Sequence, residues 1–470
     1  MNLSRYIRYD LAIITALLTV TLFIYFPVFQ SDYLYTDESV QLWYYRPGAG
    51  YHMFIEQGRY LTDLLMTHLF GRIDTISEVR FLRVFSLVGW MLMIPVWYLI
   101  LKRVFKKEGL SPWLAPLTVL WLVCSPTFTI SIGWASCMEL FIAYTAGLVS
   151  GYFVWSALTT EIKSARWRAG LLFLSTIAGL VSLFTYQNGF GCFLLPYFIQ
   201  AVANPGRYRV IIKGILVFFV IAIVYYLLLK LQLRSLGISG SERTAMATNI
   251  FSKLKFFFYR PFRASFHFGY LFNERDITGL LAGLLLFIMT VIGYIRLFRA
   301  PKILVHIIFL VFLLVLIYLP SMTVKENYAS NRTMLALTLA VTCWVLIILS
   351  RLLTDRFFFR ATWVLLGACF IGNAFFNYNI LFRKPLEQEY AEAVQYFNSV
   401  YNDSLTSIRI AVPPEDHFVK KFGIVRSWDE FGVPSLFFKW VPAPYFRQLM
   451  FERSGDRSRA TAFQVEVAPH

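Results

Sequence analysis

The sequence predicts an all-α polytopic membrane protein with about eleven transmembrane helices, followed by a small C-terminal α/β domain. Of its 470 residues, 58% are hydrophobic and only 15% are charged, whereas soluble domains are about half apolar and about a quarter charged. The hydrophobic residues form runs near twenty residues, the length that crosses a hydrocarbon core of about 30 Å. These observations exclude a soluble Rossmann enzyme, a disordered basic arm and an outer-membrane β-barrel.

Eleven apolar runs are the candidate spans, with boundaries defined to within several residues. They cover residues 11–29, 82–101, 113–133, 138–158, 168–186, 189–203, 210–231, 277–295, 303–320, 334–350 and 361–380. The first run follows Arg5 and Arg8, and no small-residue cleavage pattern comes after it. We therefore expect it to be an uncleaved signal anchor.

Basic residues fall on alternate loops between these runs. They are Arg5 and Arg8 before the first run, Lys102, Arg103, Lys106 and Lys107 after the second, Lys163, Arg166 and Arg168 after the fourth, Arg207, Arg209 and Lys213 after the sixth, Arg296, Arg299 and Lys302 after the eighth, and Arg351, Arg356 and Arg360 after the tenth. Because cytoplasmic loops carry the excess of Lys and Arg, we expect a cytoplasmic N-terminus and an extracytoplasmic C-terminus in an inner or plasma membrane. Topology thus explains most of the net charge of +17 without a nucleic-acid partner.

Most of the irregular, polar chain falls on the outer side of this topology. The transmembrane domain, residues 1–383, has long outer loops at 30–81 and 232–276, and residues 384–470 form the C-terminal domain. One helical stripe in this tail comprises Leu386, Tyr390, Ala393, Phe397 and Tyr401. Residues 408–412 and 463–467 have the composition of strands. Because functional residues concentrate on loops held by a rigid scaffold, we expect the chemistry at the outer face.

An acidic pair, Asp37 and Glu38, follows the first span by about eight residues. A carboxylate at this level can accept a proton from a sugar hydroxyl when it is oriented and partly shielded from water. Alternatively, Thr36 or Asp37 caps a helix that begins at Glu38, with both acids interacting favourably with the helix dipole. Spacing alone favours the cap, and the surrounding polar groups favour the functional interpretation.

The first outer loop also contains an amphipathic pattern. Its apolar face comprises Phe54, Leu61, Leu65 and Leu69, and its charged face comprises His52, Glu56, Arg59 and Asp63. The pattern predicts a helix that lies in the membrane interface, with the charged face toward water. Ordinary surface ion pairs are the favoured interpretation of His52 and Asp63. For Arg59, both a surface pair and a functional role stay open.

The second outer loop interleaves bases with aromatic residues. Arg260 and Arg263 flank Pro261, which predicts a break in the helix and a turn that presents both guanidinium groups. Aromatic residues favour the headgroup level, where bases can hold a phosphate. Diffuse attraction to anionic lipid headgroups has equal weight as an explanation.

Further polar residues lie at the outer ends of spans. The short link after the ninth run contains Lys325, Asn331 and Arg332, and an arginine there either extends to the interface or is paired with an anion. The others are Trp134, Glu139, Gln187 and Asn188. An ionisable residue such as Glu139 at the end of a span usually faces a cavity or a partner.

Three short segments resemble motifs of a known enzyme class. They are Asp37-Glu38, Gly58-Arg59-Tyr60-Leu61 with Asp63, and Tyr328-Ala329-Ser330-Asn331-Arg332-Thr333. The layout resembles multi-spanning glycosyltransferases of the GT-C fold, and these motifs are most similar to the bacterial serotype-converting (O-antigen) glucosyltransferase group. The resemblance covers most of the membrane part in layout, and it does not cover the tail.

The resemblance implies transfer of a sugar from a polyprenyl-phosphate donor to an envelope glycan or glycolipid on the same side of the membrane. It assigns the catalytic position to Asp37, with Glu38 adjacent, and two donor-phosphate positions to Arg59 and Arg332. The other bases that we predict for the donor phosphate are Arg260, Arg263 and Lys325. The sugar or acceptor positions are Trp134, Glu139, Gln187, Asn188 and Asn331. The group often has two adjacent aspartates, so the Asp-Glu pair leaves the identity of the base open.

The expected reaction needs no nucleotide or hydride cofactor, because the donor arrives activated in the membrane. A divalent cation such as Mg²⁺ or Mn²⁺ stays open because some relatives use one, although the sequence has no dense cluster of metal ligands. Two alternatives from other classes are a flippase or transporter of lipid-linked sugars and a non-catalytic scaffold for envelope assembly. A transporter usually has repeat symmetry and polar groups at the membrane midplane, and neither feature is visible.

Overall fold

The structure, a computed structural model, describes residues 3–46, 48, 50–160, 164–241, 243–273, 276–298, 302–353 and 355–468. Two of the predicted loop bases, Lys163 and Arg299, lie outside the described residues. The chain is 75% helical. Within the described ranges, eight helices are long and apolar enough to cross a membrane. The protein therefore has the build of an all-α, multi-pass membrane protein.

The first half of the chain consists of helices joined by short 3₁₀ segments. The helices are α1 (Leu3–Tyr25), α2 (Asp37–Tyr44), α3 (Tyr60–Phe70), α4 (Val79–Lys107), α5 (Leu114–Val123), α6 (Pro126–Gly133), α7 (Leu140–Thr159), α8 (Ala165–Thr185), α9 (Leu195–Ala203) and α10 (Tyr208–Leu236). The 3₁₀ segments are Phe26–Gln30, Ile76–Glu78, Ala135–Cys137 and Gln187–Leu194.

The second half adds the remaining membrane helices and the tail. The helices are α11 (Ile250–Phe257), α12 (Arg263–Ser265), α13 (Ile277–Phe298), α14 (Ile303–Ile317), α15 (Leu319–Thr323), α16 (Asn331–Leu352), α17 (Arg356–Phe376), α18 (Lys384–Val400), α19 (His417–Phe422), α20 (Pro442–Ser454) and α21 (Arg457–Ala462). Single π-turns lie at Phe258–Phe262 and Asn377–Arg383, a 3₁₀ turn lies at Ser435–Phe437, and the strands are β1 (Ser407–Ala411) and β2 (Gln464–Ala468).

The predicted span 113–133 is a bent pair of helices. Helices α5 and α6 meet at an angle of 44° across Cys124 and Ser125. The Ser125 hydroxyl accepts a hydrogen bond from the Phe128 backbone N–H, and Pro126, which has no N–H, begins α6. This is the local chemistry of a new helix N-terminus, and it explains why the run does not continue straight.

Glycines let α7 pack directly on the backbone of the 3₁₀ segment Gln187–Leu194. A Cβ atom added at Gly147 would overlap the Gly189 carbonyl, and one added at Gly151 would overlap the Phe193 carbonyl. Small residues allow this close approach between membrane helices. The contact holds the loop that carries Gln187 and Asn188 against the centre of the bundle.

Contacts between loops collect at one end of the bundle. The Lys102 ammonium donates to an Asp10 carboxylate oxygen at 2.6 Å, the Asn204 amide donates to Glu108 at 2.5 Å, and Arg351 donates to the Ala203 carbonyl at 3.0 Å. These residues all lie on or beside loops that the sequence predicts to be cytoplasmic. The basic loops thus share one end of the molecule, opposite the site described below.

The predicted interfacial helix is shorter than expected, and the prediction that its charged face is exposed to water is wrong at Asp63. Helix α3 begins only at Tyr60, after a turn in which Gly58 has φ +74°. Asp63 is buried, and its carboxylate accepts from the Phe54 N–H at 3.1 Å and lies 2.8 Å from His52 Nδ1. The hydrophobic pattern could not reveal that the loop folds back over this carboxylate.

Pro261 does not break its helix. The chain stays helical from α11 to α12 because a π-turn at Phe258–Phe262 surrounds the proline. A π-turn accommodates the missing N–H and the bulk of the ring. The predicted turn at Arg260 and Arg263 is therefore replaced by a continuous helical segment.

The tail packs on the first outer loop. Strands β1 and β2 form a parallel pair in which Ser407 lies opposite Gln464. Leu386, Ala393 and Phe397 of the predicted stripe are buried. Phe397 and Tyr445 of the tail share one hydrophobic cluster with residues of α2 and α3. The predicted boundary at residues 383 and 384 falls within continuous helix, because the π-turn Asn377–Arg383 joins α17 to α18.

Candidate functional site

A cleft with about 840 Å³ of empty space, including its mouth, opens at the end of the bundle opposite the basic loops. It lies between the start of α2, the turn before α3, the connections after α6 and α8, and the start of α16. Seven of the residues singled out from the sequence line it. They are Asp37, Arg59, Trp134, Glu139, Gln187, Asn188 and Arg332.

Asp37 is the acidic residue at the start of α2, and its carboxylate is half-buried in the cleft wall. The Trp440 indole N–H donates to its Oδ1 at 3.0 Å. Burial raises the pKa of Asp37 above its ordinary value, while the positive charge of Arg332 and the bond from Trp440 oppose that rise. A raised pKa makes the ionised carboxylate a better proton acceptor near neutral pH.

The backbone just before Asp37 is strained. Thr36, a β-branched residue, has φ +43° and ψ −110°, a conformation that costs of order 1–3 kcal/mol. Its N–H donates to the Ser435 hydroxyl of the tail at 2.7 Å. The tail therefore helps to hold the strained turn that points Asp37 into the cleft.

Glu38 does not reach the cleft. Its carboxylate is fully buried, lies 2.6 Å from an Arg83 nitrogen, and accepts from the Tyr35 and Ala135 backbone N–H groups at 2.7 and 2.5 Å. These bonds occupy both carboxylate oxygens. The two residues of the predicted catalytic pair therefore have different places in the structure. Asp37 lines the cleft, whereas Glu38 lies outside it and anchors α2 to α4.

Arg59 is positioned by the glycine before it. A Cβ atom at Gly58 would lie 2.5 Å from the Tyr225 hydroxyl, so only glycine fits this turn. The Arg59 guanidinium stacks on Tyr186 at 4.4 Å from the ring centroid and donates to Gln187 at 3.3 Å. Among the described residues, no carboxylate lies within 4 Å of it.

The pKa of Arg59 is lowered, first by burial and then by the nearby charges of Arg243 and Arg332. Arg243 and Arg332 form ion pairs with Glu326 and Asp429, whereas Arg59 has no carboxylate partner at close range among the described residues, so its guanidinium is the one best suited to bind an anion. Arg59 therefore contributes its positive charge to the cleft and not to the water-exposed helix face that the sequence predicted.

Arg332 lies at the start of α16, inside a cage of aromatic and acidic groups. Its guanidinium lies 4.3 Å from the Trp134 ring centroid and donates to the Tyr328 hydroxyl at 2.5 Å and to Asp429 at 3.3 Å. Its Nη1 is buried and has no hydrogen-bond partner in the described part of the chain. A buried donor without a partner is costly, so this nitrogen is available to a ligand oxygen.

Two further orphaned polar atoms line the same cleft. They are the Trp134 indole nitrogen and Glu139 Oε2, both buried and without a partner among the described residues. Gln187 and Asn188 are better satisfied, because the Gln187 amide donates to the Gln57 carbonyl at 2.8 Å and Asn188 accepts from Ser321 at 2.8 Å. The unpaired donor and acceptor are suited to the hydroxyl groups of a sugar.

The sequence interpretation missed the groups that the tail brings to the cleft. Glu430 accepts from the Asn331 and Arg332 backbone N–H groups at 2.7 and 3.1 Å, and Asp429 accepts from the Tyr328 hydroxyl at 2.8 Å. Burial raises the pKa of Glu430 to about 7. The available signal was the adjacent acidic pair Asp429-Glu430, one of two such pairs in the tail.

Arg243, in the second outer loop, was also missed. It lines the cleft, forms an ion pair with Glu326 at 2.9 Å and donates to Gln57 at 3.3 Å. Nothing in its local sequence distinguishes it from the other loop arginines.

An apolar groove adjoins the polar cleft. It has about 1050 Å³ of empty space, lies between α8, α10 and α15, and shares Gln187, Arg243 and Pro320 with the cleft. Phe219, Ile223 and Met246 line it and are exposed at the outside of the bundle. An elongated apolar chain could pass from the surrounding lipid to the cleft along this route.

Besides Glu38, four predicted site residues lie outside this cleft. Arg260, Arg263 and Asn331 line a second cleft on the other side of α16. Lys325 does not line the first cleft, and its backbone N–H donates to the Ala245 carbonyl at 2.8 Å.

Within the ranges that the structure describes, no three His, Cys, Asp or Glu side chains are grouped closely enough to hold a metal. In comparisons with known proteins, the chain matches no family model, no curated protein and no solved structure.

Proposed function

We propose that the protein is a membrane glycosyltransferase of the GT-C type. It moves a sugar from a polyprenyl-phosphate donor to an envelope glycan or glycolipid on the extracytoplasmic face. One observation carries the proposal: the carboxylate of Asp37 and the guanidinium groups of Arg59 and Arg332 line one cleft, and that cleft adjoins an apolar groove. This combination matches a substrate with a reactive hydroxyl, an anionic phosphate and a long apolar chain.

In the proposed reaction, Asp37 accepts the proton of an acceptor hydroxyl as its oxygen attacks the anomeric carbon of the donor sugar. The bond between that carbon and the phosphate oxygen breaks, and its electron pair leaves with the polyprenyl phosphate. Arg59 and Arg332 stabilise the negative charge that develops on the phosphate.

The apolar groove supports a lipid-linked donor over a soluble one. Its lining residues Phe219 and Ile223 face the outside of the bundle, where hydrocarbon surrounds a membrane protein. The polyprenyl chain would lie in the groove while the phosphate reaches Arg59. The orphaned atoms of Trp134 and Glu139 would bind the sugar.

We also propose eleven spans, with the N-terminus in the cytoplasm and the tail outside. Beyond the eight long helices, the bent pair α5–α6 and the short apolar helix α14 each supply a span. The eleventh is Gln187–Ala203, whose 3₁₀ and α parts rise about 30 Å together. Residues 384–470 would then cap the cleft from the extracytoplasmic side.

The test supplies the purified full-length protein in detergent with radiolabelled polyprenyl-phosphate sugars and an envelope glycan extract. We expect transfer by the wild type and by Asp403→Asn, an exposed carboxylate control, and transfer lowered by about 10²- to 10⁴-fold in Asp37→Asn. Equal transfer by Asp37→Asn and the wild type would refute the assignment of the base. Movement of a lipid-linked sugar across vesicles without transfer would instead identify a transporter.

A further inference from the structure

The second cleft has about 660 Å³ of empty space between α12, the start of α13 and the start of α16. Arg260 and Arg263 line it, and Asp276 is the one carboxylate among its described lining residues. Neither arginine lies within 4 Å of a carboxylate in the described part of the chain. The cleft therefore carries an excess of positive charge.

Two donors in this cleft have no partner. Arg263 Nε and Asn331 Nδ2 are buried and make no hydrogen bond within the described residues. The two residues belong to different elements, α12 and α16, and both line the cleft. Two unpartnered donors beside an unneutralised guanidinium group are suited to the oxygens of a phosphate.

Hydrogen bonds from two other helices hold the wall of the cleft. Phe268 and Gly269 both have positive φ, +56° and +91°, and their carbonyls accept from the Trp121 indole at 3.2 Å and the Asn373 amide at 2.9 Å. His267 faces the Gly279 carbonyl at 3.0 Å, and burial lowers its pKa to about 4, so it is neutral at physiological pH. The positive charge of the cleft therefore comes from the arginines.

The outside of this cleft is apolar. On α13, Ile277 and Leu281 are exposed at the bundle surface, as are Phe258 and Tyr259 of the π-turn before α12. A ligand whose phosphate occupies the cleft would have a hydrocarbon-like surface directly beside it. An anionic membrane lipid matches both the basic cleft and the apolar surface beside it, whereas a soluble anion matches only the cleft.

We infer that the second cleft binds the phosphate headgroup of an anionic membrane lipid, separately from the first cleft. Arg260, Arg263 and Asn331 would contact the phosphate, and the acyl chains would lie against α13. The inference does not rest on the proposed sugar transfer. It explains why two predicted phosphate ligands lie apart from Arg59 and Arg332.

The experiment measures lipid binding to the full-length protein by native mass spectrometry, with phosphatidylglycerol as the probe and phosphatidylcholine as the zwitterionic comparison. We expect selective binding of phosphatidylglycerol and, for Arg260→Gln/Arg263→Gln, a rise in apparent Kd of about tenfold or more. Lys255→Gln, an exposed base on the adjacent helix α11, is the matched control and should leave the Kd within twofold of wild type, about the scatter of such measurements.

Equal losses for Lys255→Gln and the double variant would overturn the proposal in favour of diffuse attraction. Loss of the selective binding in Arg59→Gln, with the double variant unaffected, would assign the lipid to the first cleft and also overturn it. Displacement of the lipid by equimolar inorganic phosphate would refute a lipid ligand. If the double variant does not fold, Arg260→Gln alone replaces it, because the Arg260 side chain is exposed.

Discussion

The Trp440 indole N–H donates a hydrogen bond to Asp37 Oδ1 at 3.0 Å, although 403 residues separate the two in the chain. The bond joins the tail to the cleft at the proposed base. Because it is made to the ionised carboxylate, it lowers the pKa of Asp37, against the larger upward effect of burial.

Replacing Trp440 with Phe should therefore move the pH dependence of transfer. The ionised form of Asp37 is the active base, so kcat/KM rises with pH through its pKa, which lies above the ordinary value of about 3.9. Trp440→Phe removes a donor to that ionised form and should shift the acidic limb to higher pH. Trp167→Phe, an exposed indole on α8, should leave the limb in place. An unshifted limb in Trp440→Phe would contradict the role of the bond.

Substituting Asp37 and substituting Glu38 should have different effects, the first on sugar transfer and the second on stability. Asp37→Asn should lower transfer by about 10²- to 10⁴-fold with little change in stability. Glu38→Gln should cost about 3–5 kcal/mol of unfolding free energy, because Arg83 is left buried without its charge partner.

Thermal unfolding in detergent, together with the transfer assay, separates the two effects. Glu387→Gln is the control for Glu38, because its pair with Arg383 is partly exposed and should contribute less than about 1 kcal/mol. If Glu38→Gln were as stable as Glu387→Gln, the buried pair would not anchor α2.

Arg59→Gln should lower transfer by about a hundredfold, because one fixed cation aimed at the leaving phosphate is lost. The cost in stability should be about 1 kcal/mol at most, from the contact with Tyr186. The measurement is kcat/KM for the polyprenyl-phosphate donor, with Arg234→Gln, an exposed arginine at the end of α10, as the control. Equal activity of the two variants would remove Arg59 from the site.

Gly58→Ala should destabilise the protein through two effects. Ala at φ +74° costs about 1–2 kcal/mol, and the added methyl group, 2.5 Å from the Tyr225 hydroxyl, costs about 1–3 kcal/mol more. Gly423→Ala, at φ +63° with nothing within 4 Å of its Cβ, should show only the first cost. Chemical unfolding of both variants tests this difference, and equal losses would show that the turn can relax.

Glu430 should make stability depend on pH. Its pKa is about 7 in the folded state and about 4.3 when unfolded, so the folded state binds more protons between these values. Stability from this residue should therefore fall as pH rises from about 4.3 to 7, by up to about 4 kcal/mol. Glu430→Gln should reduce the slope of the unfolding profile across this window without abolishing it, because burial also raises the pKa of Glu389 to about 7. Glu56→Gln, an exposed acid, should reproduce the wild-type profile.

Several of the residues that the sequence singled out lie together in the structure. Arg59, Glu139 and Arg332, from three separate segments of the chain, line one cleft. The prediction could not assign Arg260 and Arg263 to a separate cleft, because α16 divides the two spaces and a base has the same sequence signature in either. The interfacial pattern over residues 52–63 was misinterpreted because periodicity assumes one helix throughout, whereas the chain forms a turn before α3 begins at Tyr60.

The sequence by itself determined the membrane-spanning class and the concentration of basic residues on alternate loops, since hydropathy and charge are properties of local segments. Only the tertiary structure decided which member of the acidic pair faces the cleft. Neighbouring residues on a helix point about 100° apart, so α2 directs Asp37 into the cleft and Glu38 toward Arg83. The tertiary structure also brought Asp429, Glu430 and Trp440 to the cleft, because packing the tail on α2 and α16 joins segments that no local pattern connects.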